Sequence, residues 1–187
     1  MQHAEQVVNE VFGLYAQRGS DDYIGEPVSQ IEHMSQSAEL ALAEGYDDEV
    51  VLAAFFHDIG HLCERDPGAA SMGGYGVASH ERVGADYLRT CGFSERVARL
   101  VEYHVRAKRY LTLRQPGYYD QLSEASRRTL AYQGGVMSDA EADAFERDPL
   151  CGVSLRMRQW DEMAKEMNVP VMDLNILKEK ALALLAA

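Results

Sequence analysis

Apolar residues recur along this chain at three- and four-residue intervals. Val7, Val8, Val11, Phe12 and Tyr15 form the first stripe, and GSDDYIGEP interrupts it. Such spacing puts apolar side chains on one helical face. Pro27 suits the first turn of a second helix. That helix runs to about Glu44, with Ile31, Met34, Ala38, Ala41 and Leu42 inward and Gly45 at its C-terminal cap. Asp47 caps a third helix through Val50 to about Ile59, where Gly60 ends or loosens it. Residues 64–77, ERDPGAASMGGYGV, carry the Gly and Pro of a loop long enough to serve as a lid or binding loop. Further helices are expected from Ser79 to about Thr90, from Ser94 through His104, and briefly after Pro116. Others follow over about 123–132, 138–147, 150–167 and 173–186.

Period-two alternation is nearly absent, and no repeat or low-complexity tract breaks the pattern. The expectation is an all-α fold in one domain over residues 1–187. The last apolar stripe, in LNILKEKALALLAA, suits core or a dimer contact, so the oligomeric state stays open.

Composition narrows the function classes. The 187 residues suit one sizeable core, and 47% hydrophobic content is ordinary. A net charge of −12 argues against a nucleic-acid partner, which needs a basic face. It leaves room for an anionic small substrate in a locally basic pocket. No apolar run approaches the roughly 18 residues of a membrane span. The three scattered cysteines, Cys63, Cys91 and Cys151, suit a reducing compartment, so a cytoplasmic location is expected.

Candidate chemistry gathers where the apolar pattern breaks. AAFFHDIGH drives two imidazoles and a carboxylate out of the most hydrophobic helix. Burying such groups without partners is costly, so they pair or hold something. His57 and His61 lie four apart, a spacing that can put two imidazoles on one metal. Read alone, HDIGH leaves two options open: two ligands with a bystander, or three polar groups around a site. His33, His80 and His104 fall on other predicted helices, and side chains converging from several helices are how bundles build metal sites. A mixed histidine and carboxylate set suits Fe, Mn, Co or Zn better than Mg or Ca. This many ligands exceeds the need of one catalytic metal; two metals bridged by Asp58 is the economical arrangement.

His33, the His57-Asp58 doublet and a distal aspartate resemble the H…HD…D signature of the HD-domain superfamily, an all-helical metal-dependent fold. His80 and His104 resemble the additions of its two-metal members, and Asp161 in MRQWDEMAKE best matches the distal aspartate. DYIGEPVSQIEH, AAFFHDIGH, GYGVASHERVGADYL, VEYHVRAKRYL and YQGGVMS together are similar to the phosphonate-degrading HD-domain oxygenases, over roughly residues 20–170. The resemblance implies a helical bundle around a mixed-valent Fe(II)/Fe(III) pair. His33, His57 and Asp161 would hold one iron, His80 and His104 the other, with Asp58 bridging. It also implies that His61 and Lys108 contact the phosphonate and, on a looser match, that Ser126 does so. Tyr23 and Glu26 in DYIGE are implied to cover the open iron position until substrate arrives. The implied reaction consumes O2 and cleaves the C–P bond of a 1-hydroxy-2-aminoethylphosphonate, free or N-trimethylated. Its products are inorganic phosphate and glycine or glycine betaine. Tyr118, Tyr119, Tyr132 and Trp160 are rings that could box a trimethylammonium or equally belong to the core. The competing reading is a metal-dependent phosphohydrolase, since most HD proteins hydrolyse phosphate esters.

Overall fold

The computed structural model describes residues 2–63 and 71–187. Among them the chain forms α1 (Gln2–Arg18), α2 (Gln30–Ala43), α3 (Asp48–Phe56), α4 (Gly60–Cys63), α5 (His80–Thr90) and α6 (Glu95–Arg114). After these come α7 (Tyr118–Gln121), α8 (Glu124–Tyr132), α9 (Asp139–Glu146), α10 (Cys151–Met163) and α11 (Leu174–Leu185). The described residues hold no strand, only the isolated bridges Asp22–Ser29 and Ser71–Val77. The all-α expectation is borne out, and no described helix is long and apolar enough to cross a membrane.

The helix α3 explains the architecture. Every residue from Val50 to Phe56 is buried, so this helix has no solvent face and must be surrounded. It packs against α2, α6, α10 and α11. Phe55 and Phe56 meet Phe12 and Tyr15 of α1, with Tyr15 and Phe55 stacked at 4.4 Å between ring centroids. Each buried phenylalanine contributes up to about 3 kcal/mol of apolar burial, which anchors this helix end in the core. The stripe of the last helix also belongs to that core, where Leu177 and Ala181 of α11 are fully buried.

Several boundaries differ from the sequence expectation. Pro27 does not open α2: it lies in a turn closed by Tyr23 N–H to Val28 O at 3.1 Å. Ser29 starts the helix instead, through a reciprocal capping box with Glu32. Asp47 and Ser94 cap α3 and α6 as their spacing predicts. The latter runs ten residues past His104, because nothing before Gln115-Pro116 breaks it. Ser79 precedes α5 but makes no capping bond and adopts φ 56°, which sets His80 as the first helical residue. The helix α10 stops at Met163, short of the expected 167. Of the predicted 64–77 loop, 64–70 lie outside the described residues; 71–77 form a turn closed by the Ser71–Val77 bridge.

The expected helix to Ile59 ends at Phe56 instead, and His57-Asp58-Ile59 make a turn leading into α4. Gly60 therefore opens a helix rather than closing one. A Cβ at this position would stand 2.0 Å from the carbonyl oxygen of His80, so only glycine lets α4 and α5 approach. Because backbone, not a flexible side chain, fills that space, Gly60→Ala is expected to cost about 3 kcal/mol of stability. A urea denaturation midpoint equal to that of wild type would contradict this close packing.

Candidate metal centre

Five elements deliver side chains to one buried point. The helix α2 supplies His33, the α3–α4 turn supplies His57 and Asp58, α5 supplies His80, α6 supplies His104 and α10 supplies Asp161; all six residues are buried. His33 Nε2 lies 3.0 Å from His57 Nε2, and His80 Nε2 lies 3.1 Å from His104 Nε2. Asp58 stands between the pairs. Its Oδ1 is 3.2 Å from His80 and 3.4 Å from His104, while its Oδ2 is 3.4 Å from His57 and 3.6 Å from His33. Asp161 Oδ1 joins the first pair, 3.4 Å from His33 and 3.9 Å from His57.

The outer nitrogens decide what these inner contacts are. His33 Nδ1 is 2.8 Å from Ala164 O, His57 Nδ1 is 2.8 Å from Ala54 O, and His104 Nδ1 is 2.6 Å from Val101 O. A carbonyl oxygen only accepts, so each of these Nδ1 atoms carries a proton and donates it. In the neutral His33 and His57 rings the Nε2 lone pairs then point at one another, which is repulsive unless a cation lies between them. Fixing the far nitrogen by a backbone carbonyl is how proteins orient metal-binding imidazoles. His80 lacks such a bond; the buried Oε2 of Glu81 stands 3.7 Å from its Nδ1.

The electrostatics carry the same demand for positive charge. Burial opposes charging His57, yet Asp58 and Asp161 take its pKa up to about 9. Burial likewise opposes ionising Asp58, but the facing histidines hold it well below the carboxylate range. Asp161 is also held well below, against burial, by Arg158 and His33. Four imidazoles and two ionised carboxylates fit a transition metal and are a poor shell for Mg or Ca.

His61 reaches the same region but is built differently. Its candidate ligand atom lies within 4.8 Å of those of Asp58 and His80, and its ring stacks on that of His80 at 4.1 Å. Its Nδ1, however, accepts the backbone N–H of Val77 at 3.1 Å. The neutral ring therefore carries its proton on Nε2, and burial with the neighbouring His80 takes its pKa down to about 3. It is a donor where His33, His57 and His104 are acceptors. Gly76, at φ 107°, makes this possible: a Cβ there would stand 2.6 Å from the His61 ring.

A cavity of about 780 Å³ opens beside the cluster and is bordered by Asp58, His61, His80, His104 and Asp161. Lys108 lines it, buried, donating to Thr129 Oγ1 at 2.9 Å and Gln133 Oε1 at 2.8 Å. Among the described residues no carboxylate pairs with it. Burial, with Arg158 nearby, takes its pKa down to about 6. Ser126 is not the cap of α8; Ser123 is, and Ser126 Oγ accepts from Arg158 Nη2 at 3.0 Å. The Tyr23 ring stacks on His33 at 4.1 Å and 13°. Its hydroxyl end is buried against Asp58, which, after burial itself, keeps the phenol protonated well above its usual range. Glu26 pairs with Lys165 at 2.6 Å.

Sequence reasoning missed three residues here. Arg158 binds Asp161 and Ser126 at once and lines the cavity; its position three residues before Asp161 on one helix was a readable signal. Thr129 and Gln133, four apart on one face of α8 and its end, were readable only once Lys108 was placed opposite them. The four candidate rings fare otherwise: Trp160 is fully buried, Tyr118 is bonded to Arg158, and none of the four lines the cavity among its described residues. Tyr23 and Tyr75 do.

The HD domain family profile matches residues 31–134, more than half of the chain and spanning His33 through His104. The chain belongs to the HD-domain family. Tyr23, Glu26, Arg158 and Asp161 of this HD-domain protein lie outside the matched segment. Full-length relatives extend the similarity. An uncharacterised protein of Acanthamoeba polyphaga mimivirus is 43% identical over 175 residues, 94% of this chain and 80% of its own. The 1-hydroxy-2-(trimethylamino)ethylphosphonate dioxygenase (glycine-betaine-forming) of Leisingera caerulea is 37% identical over 167 residues, 89% of this chain and 84% of its own. The hydroxymethylphosphonate dioxygenase of Gimesia maris is 36% identical over 167 residues, 89% and 82% respectively. The resemblance to phosphonate-acting HD-domain oxygenases, expected from the motifs, is borne out by these relatives.

Proposed function

We propose that this HD-domain protein is an O2-dependent oxygenase that cleaves the C–P bond of a 1-hydroxy-2-aminoethylphosphonate, free or N-trimethylated. It would release inorganic phosphate with glycine or glycine betaine. In this reading His33, His57 and Asp161 hold one iron and His80 and His104 a second, with Asp58 bridging. The observation that carries it is the pair of Nε2–Nε2 contacts, at 3.0 and 3.1 Å, each facing one oxygen of Asp58. The relatives' names support the reaction class.

Iron held there supplies the O2 activation and Lewis acidity that the cleavage requires. The chain's own residues handle the substrate. A phosphonate dianion needs fixed donors and positive charge in a site shielded from water. Lys108 provides a buried, carboxylate-free amine, already aimed by Thr129 and Gln133, that takes up its proton when a dianion arrives beside it. Ser126 and Arg158 add donors from the same wall, and the Nε2–H of His61 adds one from the other side of the cluster. Tyr23, stacked on His33 with its hydroxyl on Asp58, shields the cluster before substrate enters. Asp22, exposed before α2, also lines the cavity and suits an ammonium group, whereas Asp21 beside it pairs with Arg18 at 3.3 Å. Asp22 favours an aminated substrate over the hydroxymethylphosphonate named for one relative.

Oxygen uptake tests the reading. Adding each 1-hydroxy-2-aminoethylphosphonate to anaerobically iron-loaded protein and then admitting O2 should consume O2 in step with phosphate release. Phosphate released equally fast without O2 would overturn the oxygenase reading in favour of hydrolysis by a metal-activated water.

A further inference from the structure

Three of the four cluster imidazoles have their outer nitrogen fixed by a backbone carbonyl, and His80 does not. Its Nδ1 is buried and, among the described residues, has no hydrogen-bond partner. The Oε2 of Glu81 is a second buried atom without one, and it stands 3.7 Å from that nitrogen. Buried polar atoms are nearly always satisfied, so two orphans side by side call for one explanation. Among the described residues His80 is also the only ionic contact of Glu81.

The two halves of the cluster are unequal in charge. Asp58 Oδ2 and Asp161 Oδ1 both face His33 and His57, whereas among the described residues Asp58 Oδ1 alone faces His80 and His104. We infer that Glu81 is the missing carboxylate of the second half, acting through His80. It accepts the Nδ1–H of His80 once Nε2 holds a metal ion, fixes that tautomer and strengthens the ring as a ligand. Carboxylates placed behind metal-binding histidines act in this way. The role rests on the proposed two-metal reading of the cluster and not on the reaction proposed for it.

The open contact follows from the tautomer. His104 carries its proton on Nδ1, so its Nε2 is an acceptor, 3.1 Å from His80 Nε2. Without a metal the His80 proton sits on Nε2, where His104 and Asp58 Oδ1 at 3.2 Å accept it, and Nδ1 has nothing to donate. A metal on Nε2 moves the proton to Nδ1, and Glu81 is the acceptor within reach. The gap is about 0.5 Å beyond the N–H···O range, and the rotatable bonds of a glutamate can close it. Packing already places the ring without that bond. His80 O lies against Gly60 so closely that no Cβ fits between α4 and α5, and the ring stacks on His61 at 4.1 Å. Glu81 is therefore a positioning residue for the proton, not for the fold.

Anaerobic Fe(II) titration against a competing chelator reads this role without turnover. In Glu81→Ala one of the two ions should bind about tenfold or more weakly, and the other as in wild type. Glu81→Gln, whose carboxamide oxygen still accepts but carries no charge, should weaken the same ion by less. With zinc in place of iron, nuclear magnetic resonance should show a slowly exchanging His80 Nδ1 proton in wild type and in Glu81→Gln. In Glu81→Ala that proton should exchange fast. The thermal midpoint of the metal-free protein should not fall in Glu81→Ala, since Oε2 has no hydrogen bond to lose there. Two ions bound as tightly in Glu81→Ala as in wild type, or both weakened alike, would overturn the role. So would a His80 Nδ1 proton that exchanges no faster without the carboxylate. A wild type that takes up fewer than two ions would instead remove the two-metal reading, and this role with it. Failure of the oxygenase reading would show only in the oxygen-uptake assay and would leave the Glu81→Ala results standing.

Discussion

Asp58→Ala is expected to leave the protein unable to hold two metal ions. Among the described residues, Asp58 is the one whose two oxygens face separate imidazole pairs, at 3.2 and 3.4 Å on one side and 3.4 and 3.6 Å on the other. Removing it takes a ligand from both sides and leaves four inward-pointing nitrogens with no charge between them. Loss of an outer-shell partner alone costs 10- to 100-fold in metal affinity, so loss of the shared ligand should cost more than about 100-fold. Elemental analysis after iron loading should find two metal ions per chain in wild type and fewer than one in the variant. Wild type should also gain thermal stability on loading, as any ligand that binds only the folded state confers, and Asp58→Ala should gain little. Two ions retained in Asp58→Ala would remove the bridge from the scheme. Asp161→Ala provides the graded comparison: it strips only the His33–His57 side, which Asp161 faces, and should lose one ion before the other.

Lys108→Met should do the opposite, keeping the metals and losing the substrate. Methionine fills nearly the same volume, so the wall between α6 and α8 stays packed while the charge disappears. A charge-assisted hydrogen bond to a buried anion is worth about 3 kcal/mol, so kcat/KM should fall roughly a hundredfold, mostly through KM. Metal content should be unchanged, because Lys108 bonds to Thr129 and Gln133 and to none of the six cluster residues. The fold should not suffer either: an ammonium whose pKa burial takes down to about 6 is a cost that the empty protein bears. Steady-state kinetics beside elemental analysis separate these effects, and a variant that loses iron would show that Lys108 supports the cluster rather than the substrate.

The residues of the cluster were legible before the fold was known. Five histidines on or next to predicted helices, one beside an aspartate, are too many polar rings on apolar faces to be separately satisfied, and side-chain chemistry restricted what they could hold. Helix phase could be read because it is local: the stripes of α1 and α3 and the caps at Asp47 and Ser94 depend on residues three or four apart. Where a local signal misled, a stronger one nearby had been overlooked, as when the Ser29–Glu32 capping box overrode Pro27.

What the chain's pattern could not settle is which way each imidazole carries its proton. His57 and His61 look alike in HDIGH, four apart and equally suited to a metal. Ala54, three residues before His57, offers it a carbonyl and makes its inner nitrogen an acceptor; Val77, sixteen residues after His61, offers an N–H and makes its inner nitrogen a donor. His33 takes its direction from Ala164, 131 residues away. Sequence alone dictated the side chains and the helices that carry them. Their protonation, the place of Arg158 beside Asp161 and Ser126, and the need for glycine at position 60 were decided by which backbone atoms of distant segments come within 3 Å, because hydrogen bonds and steric contacts act only at that range.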